Sequence, residues 1–138
     1  MLPRMRFTIE FGGVPQDVTV TTEGTATPDG FAQMNAELVE DERFRPGMLV
    51  LLDHTSLGVN ELSSEDVRSI AKDFLRHDAA FGSTVVALVA PEPVQFGLAR
   101  MATALADPMT PIIRIFETRQ AAMEWLGKMR EAESGTTT

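Results

Sequence analysis

The chain has 138 residues, 43% of them hydrophobic and 23% charged, a balance that suits one folded domain and excludes extended disorder. Twenty acidic against 12 basic side chains give a formal charge of −8, and lysine occurs only at Lys72 and Lys128. A duplex-binding domain needs a basic face to displace phosphate counterions and no Lys/Arg cluster appears, so nucleic acid and anionic membrane surfaces are not expected partners. Cysteine is absent, which excludes disulfides and thiolate metal sites.

The first residues, Met1 to Arg6, place no apolar segment behind their charges, so no signal peptide is expected. The longest apolar runs, Met48 to Leu52 and Val85 to Ala90, fall short of the ~20 residues a membrane helix requires. A cytoplasmic protein without stable membrane insertion is therefore expected.

Arg6 to Phe11 alternates, with Phe7, Ile9 and Phe11 on one face, and so predicts a strand with one wet side. Gly12-Gly13-Val14-Pro15 interrupts it, and Asp17 to Thr21 resumes the alternation through Val18 and Val20. Two such runs around a Gly/Pro loop predict an antiparallel hairpin. Thr27-Pro28-Asp29 offers a helix cap, followed by Phe31, Met34 and Leu38 as an apolar stripe. After Arg45-Pro46-Gly47, the run Met48 to Leu52 lacks alternation, as a strand covered on both faces does.

Val67, Ile70, Ala71, Phe74 and Leu75 fall at i, i+3, i+4, i+7 and i+8 and define an amphipathic helix. Thr84 to Ala90 predicts a second buried strand, and Val94, Leu98, Met101, Ala102 and Leu105 a third helix. Pro108 and Pro111 precede a last strand, Ile112 to Phe116. Thr118 then caps a final helix with the stripe Ala122, Trp125, Leu126 and Met129. Residues 133–138 have nothing to bury and are expected to form a disordered tail on a single domain spanning 1–132. The order ββαβαβαβα predicts an α/β fold with one mixed, mainly parallel sheet, an N-terminal antiparallel hairpin and four helices.

Phosphate-loop, dinucleotide, nucleophile-elbow and zinc-protease motifs are all absent. The histidines are His54 and His77; His77 closes a helix, where a polar or positive group complements the dipole. Asp53 and His54 follow a buried strand, at the end where open α/β sheets place ligand crevices. An acid beside an imidazole suits acid–base work, yet neighbours on an extended chain point opposite ways. A turn-forming Asp and a solvated His are the plainer alternative. No third residue has metal-ligand spacing, so no metal site is expected.

In Phe96 to Met101, Gly97 is explained by a close approach of backbone or ligand or, more commonly, by tight helix–sheet packing, and Arg100 offers a clamp for phosphate or carboxylate. Ser63 and Asp66 are spaced as a capping box.

A hairpin followed by helix-separated parallel strands resembles the STAS domain of anti-sigma-factor antagonists. There, a strand ends in Asp, a short loop follows, and a regulatory serine opens the next helix. Asp53, the loop from His54 to Leu62, and Ser63-Ser64 match that layout, while Leu62 and Glu65 stand where the phospho-acceptor motif carries Asp and Gly. Closer similarity is to a bacterial STAS-like group, through Glu23-Gly24, Asp41 to Gly47, Phe96 to Met101 and Glu124 to Leu126. The resemblance covers roughly residues 5 to 130 and implies Ser63 and Ser64 as phospho-site candidates. The wider group is also similar to lipid-carrying CRAL-TRIO domains, which implies an apolar ligand.

The expected function is a non-enzymatic regulatory or protein-interaction module without cofactor, homodimeric or docked to a partner protein. The alternative is a carrier of an apolar small molecule or lipid at the strand C-terminal ends, using methionines that repack easily. Its candidate contacts are Asp53, His54, Leu57, Phe96, Arg100 and Met101, with Val59 and Met109 nearby. A third alternative is an enzyme using Asp53 or His54.

Overall fold

Strands β1 (Arg6–Phe11) and β2 (Val18–Thr25) form the expected hairpin, antiparallel from Arg6↔Glu23 to Phe11↔Val18. The structure, a computed structural model, describes residues 3–135. Next come α1 (Pro28–Glu40), β3 (Leu49–Gly58), α2 (Ser64–Arg76), the single-turn α3 (Asp78–Phe81) and β4 (Val85–Val89). The chain closes with α4 (Pro93–Leu105), β5 (Ile112–Phe116) and α5 (Arg119–Gly135). One sheet runs in the order β1-β2-β3-β4-β5, parallel from β2 onward. The fold is thus the expected α/β type, with α3 as a fifth, very short helix.

The period of two along each strand divides the core. Val18, Val20, Val50 and Val86 face α1 and α2 and pack with Met34, Leu38 and Phe81. Leu49, Leu51, Val85, Ala87 and Val89 face the opposite way, onto Ala122 and Leu126 of α5. Helix α4 joins α1 and α2 on the first face, so β3 and β4 are covered on both sides and show no alternation.

Gly24 has φ +84°, and a Cβ there would collide with the carbonyl of Arg4, which lies against the end of β2. The Glu23-Gly24 step is therefore a strand interior that only glycine fits.

Three expectations need correction. First, β3 does not stop at Leu52: His54 to Gly58, expected as loop, continue the strand beside the second half of β2. Second, the buried side of α4 is turned from the predicted stripe, leaving Val94 52% and Leu105 42% exposed while Gln95 is buried. Gly97 meets no neighbouring atom within 4 Å, so it answers to no close approach. Third, α5 continues to Gly135, with Arg130 and Glu133 paired at 3.3 Å one turn apart, where a disordered tail is expected. Residues 136–138 of that tail lie outside the described residues.

Candidate functional site

The site is built on an irregularity of β3. Thr21 pairs with Asp53 but Glu23 pairs with Ser56, so β3 carries one residue more than β2 across this interval. Such a bulge shifts the alternation. Val50, Leu52 and His54 face the α1/α2/α4 side at even positions, and beyond the bulge Leu57 faces it at an odd one. Strict alternation would have turned Leu57 away.

Strand β3 runs on past Asp53, where its pairing with β4 ends, and Gln95 of α4 takes up carbonyls left open on that side. Its Nε2 donates to the carbonyls of His54 and Leu57, each at 2.9 Å, while its Oε1 accepts from Glu92 N at 2.9 Å. A buried amide is thereby fully bonded, which explains why α4 presents a polar residue where its stripe predicts an apolar one.

His54 is 93% shielded. Its Nδ1 lies 2.7 Å from the hydroxyl of Thr22, itself completely buried, and its ring meets Phe31 edge-on at 5.6 Å. Burial pushes the imidazole pKa down to about 4, against a smaller upward pull from the Asp53 charge, so the ring is neutral near pH 7.

Asp53 points to the other side of the sheet. Its Oδ1 accepts from Thr55 N at 2.9 Å and from the Thr55 hydroxyl, and its Oδ2 from Arg119 Nη1 at 2.9 Å. Burial alone would raise its pKa, but the hydrogen bonds from Thr55 and Arg119 outweigh burial and hold it below the usual carboxylate value. Asp53 and His54 are not brought together as an acid–base pair.

Between the sheet and α1, α2 and α4 lies a cavity of about 130 Å³. Its walls are aliphatic and aromatic, including Phe31, Leu57, Phe74 and Met109, apart from Asn35, His54, Gln95 and Thr103. Of the expected ligand contacts, His54 and Leu57 line this cavity, and so do Val59 and Met109. Asp53 does not, because it is turned toward α5. Phe96, Arg100 and Met101 also lie off the lining; α4 presents Gln95, Leu98, Ala99 and Ala102 there, and the neighbouring positions are rotated away by about 100° per residue.

Ser63 and Ser64 sit exposed at the start of α2. Ser63 is the N-cap: its hydroxyl accepts from Asp66 N at 3.0 Å and Asp66 Oδ2 accepts from Ser63 N at 3.0 Å, closing the expected capping box. His77 is the C-cap of the same helix.

Sequence reasoning missed Thr22, Phe31, Asn35 and Gln95. Phe31 was visible only as part of a core stripe, and a threonine in a strand carries no signal of its own. Among the described residues no cluster of three or more His, Cys, Asp or Glu is placed to hold a metal, and no helix is long and apolar enough to cross a membrane.

The sheet order, the antiparallel first pair and the helices on both faces define a SpoIIAA-like, that is STAS-like, fold. Among solved structures, the chain is similar to an uncharacterized protein of the DUF3478 family with a SpoIIAA-like fold, from Shewanella loihica PV-4. The two superpose with a TM-score of 0.56 at 22% identity, over 88% of this chain and 93% of that one. No protein-family model and no curated protein matches the sequence.

Proposed function

We propose that this chain is a non-enzymatic binding module that holds a compact apolar molecule between its sheet and helices α1, α2 and α4. The cavity of about 130 Å³ carries this proposal. Well-packed interiors hold few voids larger than a water molecule, so a continuous apolar space of this size is unusual in so small a domain. An apolar cavity of about 150 Å³ is enough to take up benzene. Drug-sized ligands occupy about 300–1,000 Å³, so the fitting ligand is of single-ring size, short of a full lipid chain.

Toluene titrated into the protein, followed by methyl NMR, tests the proposal. Wild type should saturate with shifts confined to lining residues such as Leu57 and Val67, and Ala71→Leu, which fills the space, should not respond. Identical, unsaturable responses of both proteins would reduce the cavity to loose packing.

A second function, a regulatory module that docks to a protein or to its own copy, is favoured by a different feature. Val94 and Leu105 on the outer side of α4, and Ile112 on the edge strand at 51% exposure, leave large apolar side chains in water. Sedimentation velocity over a concentration series should then show association that Leu105→Glu abolishes. A monomer at all concentrations would remove the homodimer from this function.

A further inference from the structure

We infer that the ligand of this cavity is a phenol-like molecule, one aromatic ring with a single hydroxyl donor, received by Nε2 of His54. The inference rests on the cavity being a ligand site, as proposed above.

The polar groups of the lining are almost all committed. Gln95 spends its amide on His54 O, Leu57 O and Glu92 N. The Thr103 hydroxyl donates to Arg100 O at 3.0 Å, and the Asn35 amide nitrogen donates to Asp73 Oδ2 at 3.1 Å. His54 differs. Its Nδ1 is engaged by Thr22, whereas its Nε2 has no hydrogen-bond partner among the described residues. That nitrogen is not sealed in the protein either, since among the described residues the enclosed side-chain polar atom without a partner is Gln16 Oε1. A ring nitrogen on a 93% shielded side chain that lines an apolar cavity is costly unless something completes it.

The neighbouring bonds fix what completes it. The Thr22 hydroxyl has one proton and donates it to the carbonyl of Asp53 at 3.2 Å. Both contacts are hydrogen bonds only when the same oxygen accepts from Nδ1–H of His54, 2.7 Å away. A neutral imidazole protonated on Nδ1 carries its lone pair on Nε2 and asks for a donor. The β3 bulge turns this stretch of strand against Thr22, as bulges beside functional sites commonly re-aim a side chain. Beside the imidazole, Phe31 provides an aromatic wall, edge-on at 5.6 Å, and Phe74 and Phe81 close the cavity farther along, toward the start of β4. The cavity volume admits one ring with its hydroxyl and little more.

The test compares phenol, toluene and anisole, three single-ring probes that differ in the group offered to His54. Long-range ¹H–¹⁵N spectra at pH 7 resolve the imidazoles of His54 and His77, and His77 serves as the internal control. Free His54 should show the Nδ1–H tautomer; phenol should move its Nε2 resonance in the direction of an accepted hydrogen bond, and toluene and anisole should leave it nearly in place. In His54→Leu, phenol affinity should fall about tenfold or more while toluene affinity changes less than about twofold, tenfold being the effect of about 1.4 kcal/mol. Should that variant fail to fold, the wild-type spectra decide alone. Toluene binding without a phenol-specific Nε2 response, an equal response to anisole, or an Nε2–H tautomer in the free protein would each overturn this inference and leave the binding module standing. Failure of all three probes to bind would overturn both.

Discussion

Arg119, in the first turn of α5, donates from Nη1 to Asp53 Oδ2 at 2.9 Å and so ties the last helix to the bulged segment of β3. The next residue along that strand, His54, faces the opposite side of the sheet and the cavity. One strand end thus anchors a helix on one face and lines the apolar cavity on the other. Asp53 is bonded to Thr55 and Arg119 and makes no hydrogen bond with the imidazole beside it in sequence.

Loss of the two partners of this ion pair should be unequal. The Arg119 side chain is 51% exposed, so Arg119→Ala should cost less than about 1 kcal/mol. Asp53→Ala strips the acceptor from Thr55 as well, at a site where its side chain is 10% exposed, and should cost about 2 kcal/mol. Urea unfolding of both variants checks the order; equal costs would mean that Thr55 gains nothing from Asp53.

Protonation of His54 should destabilise the fold in a defined window. Its folded pKa of about 4 lies below the ordinary 6.5, so between those values the unfolded chain binds a proton that the folded chain refuses. Stability from the neutral imidazole is fully present above pH 6.5 and is lost as pH falls toward 4. At about 1.4 kcal/mol per unit, the loss reaches about 3 kcal/mol. Urea unfolding at pH 7, 5.5 and 4 should show the advantage of wild type over His54→Leu shrinking by that amount. A difference independent of pH would mean that His54 is not buried as a neutral ring.

Much of the fold was legible because it depends on local pattern. The alternation of Arg6 to Phe11, the stripe of α2 and its Ser63/Asp66 cap, and the Ala122/Leu126 seam of α5 are each set by neighbours within one or two turns. The site was legible only in part, because it depends on pairing between distant segments. Asp53-His54-Thr55-Ser56 looks like a turn by composition, and only the second half of β2, some thirty residues earlier, makes it strand. The bulge then reverses which side chains face inward. Gln95 is buried because of carbonyls left open where β3 outruns β4, so the α4 stripe could not be phased from its own residues.

Phe74→Ala should be among the costlier single changes in α2. The ring stacks on Phe81 at 4.9 Å with 24° between planes and forms part of the cavity wall. Truncation enlarges a space that already exists, so the loss should sit near the low end for such a change, about 3 kcal/mol. A ΔΔG below about 1 kcal/mol in urea would show that this wall does not contribute to the folded state.

Ser63 separates a structural role from a regulatory one. Both bonds of its capping box are present, so Ser63→Ala should cost about 1 kcal/mol, whereas Ser63→Asp, which caps as well, should stay within about 0.5 kcal/mol of wild type. A phosphate on the same oxygen would gain from the helix dipole, but Glu65 and Asp66 already occupy the first turn and would oppose two further negative charges. Leu62 and Glu65, in place of the Asp and Gly of the phospho-acceptor motif, are consistent with a hydroxyl retained for the cap. Thermal and urea unfolding of the two variants, together with pull-downs using wild type and Ser63→Asp as baits, should show one weakened cap and no change in captured partners. Capture lost only with the acidic bait, or phosphate found on Ser63 or Ser64 in native protein, would assign this helix start to regulation instead.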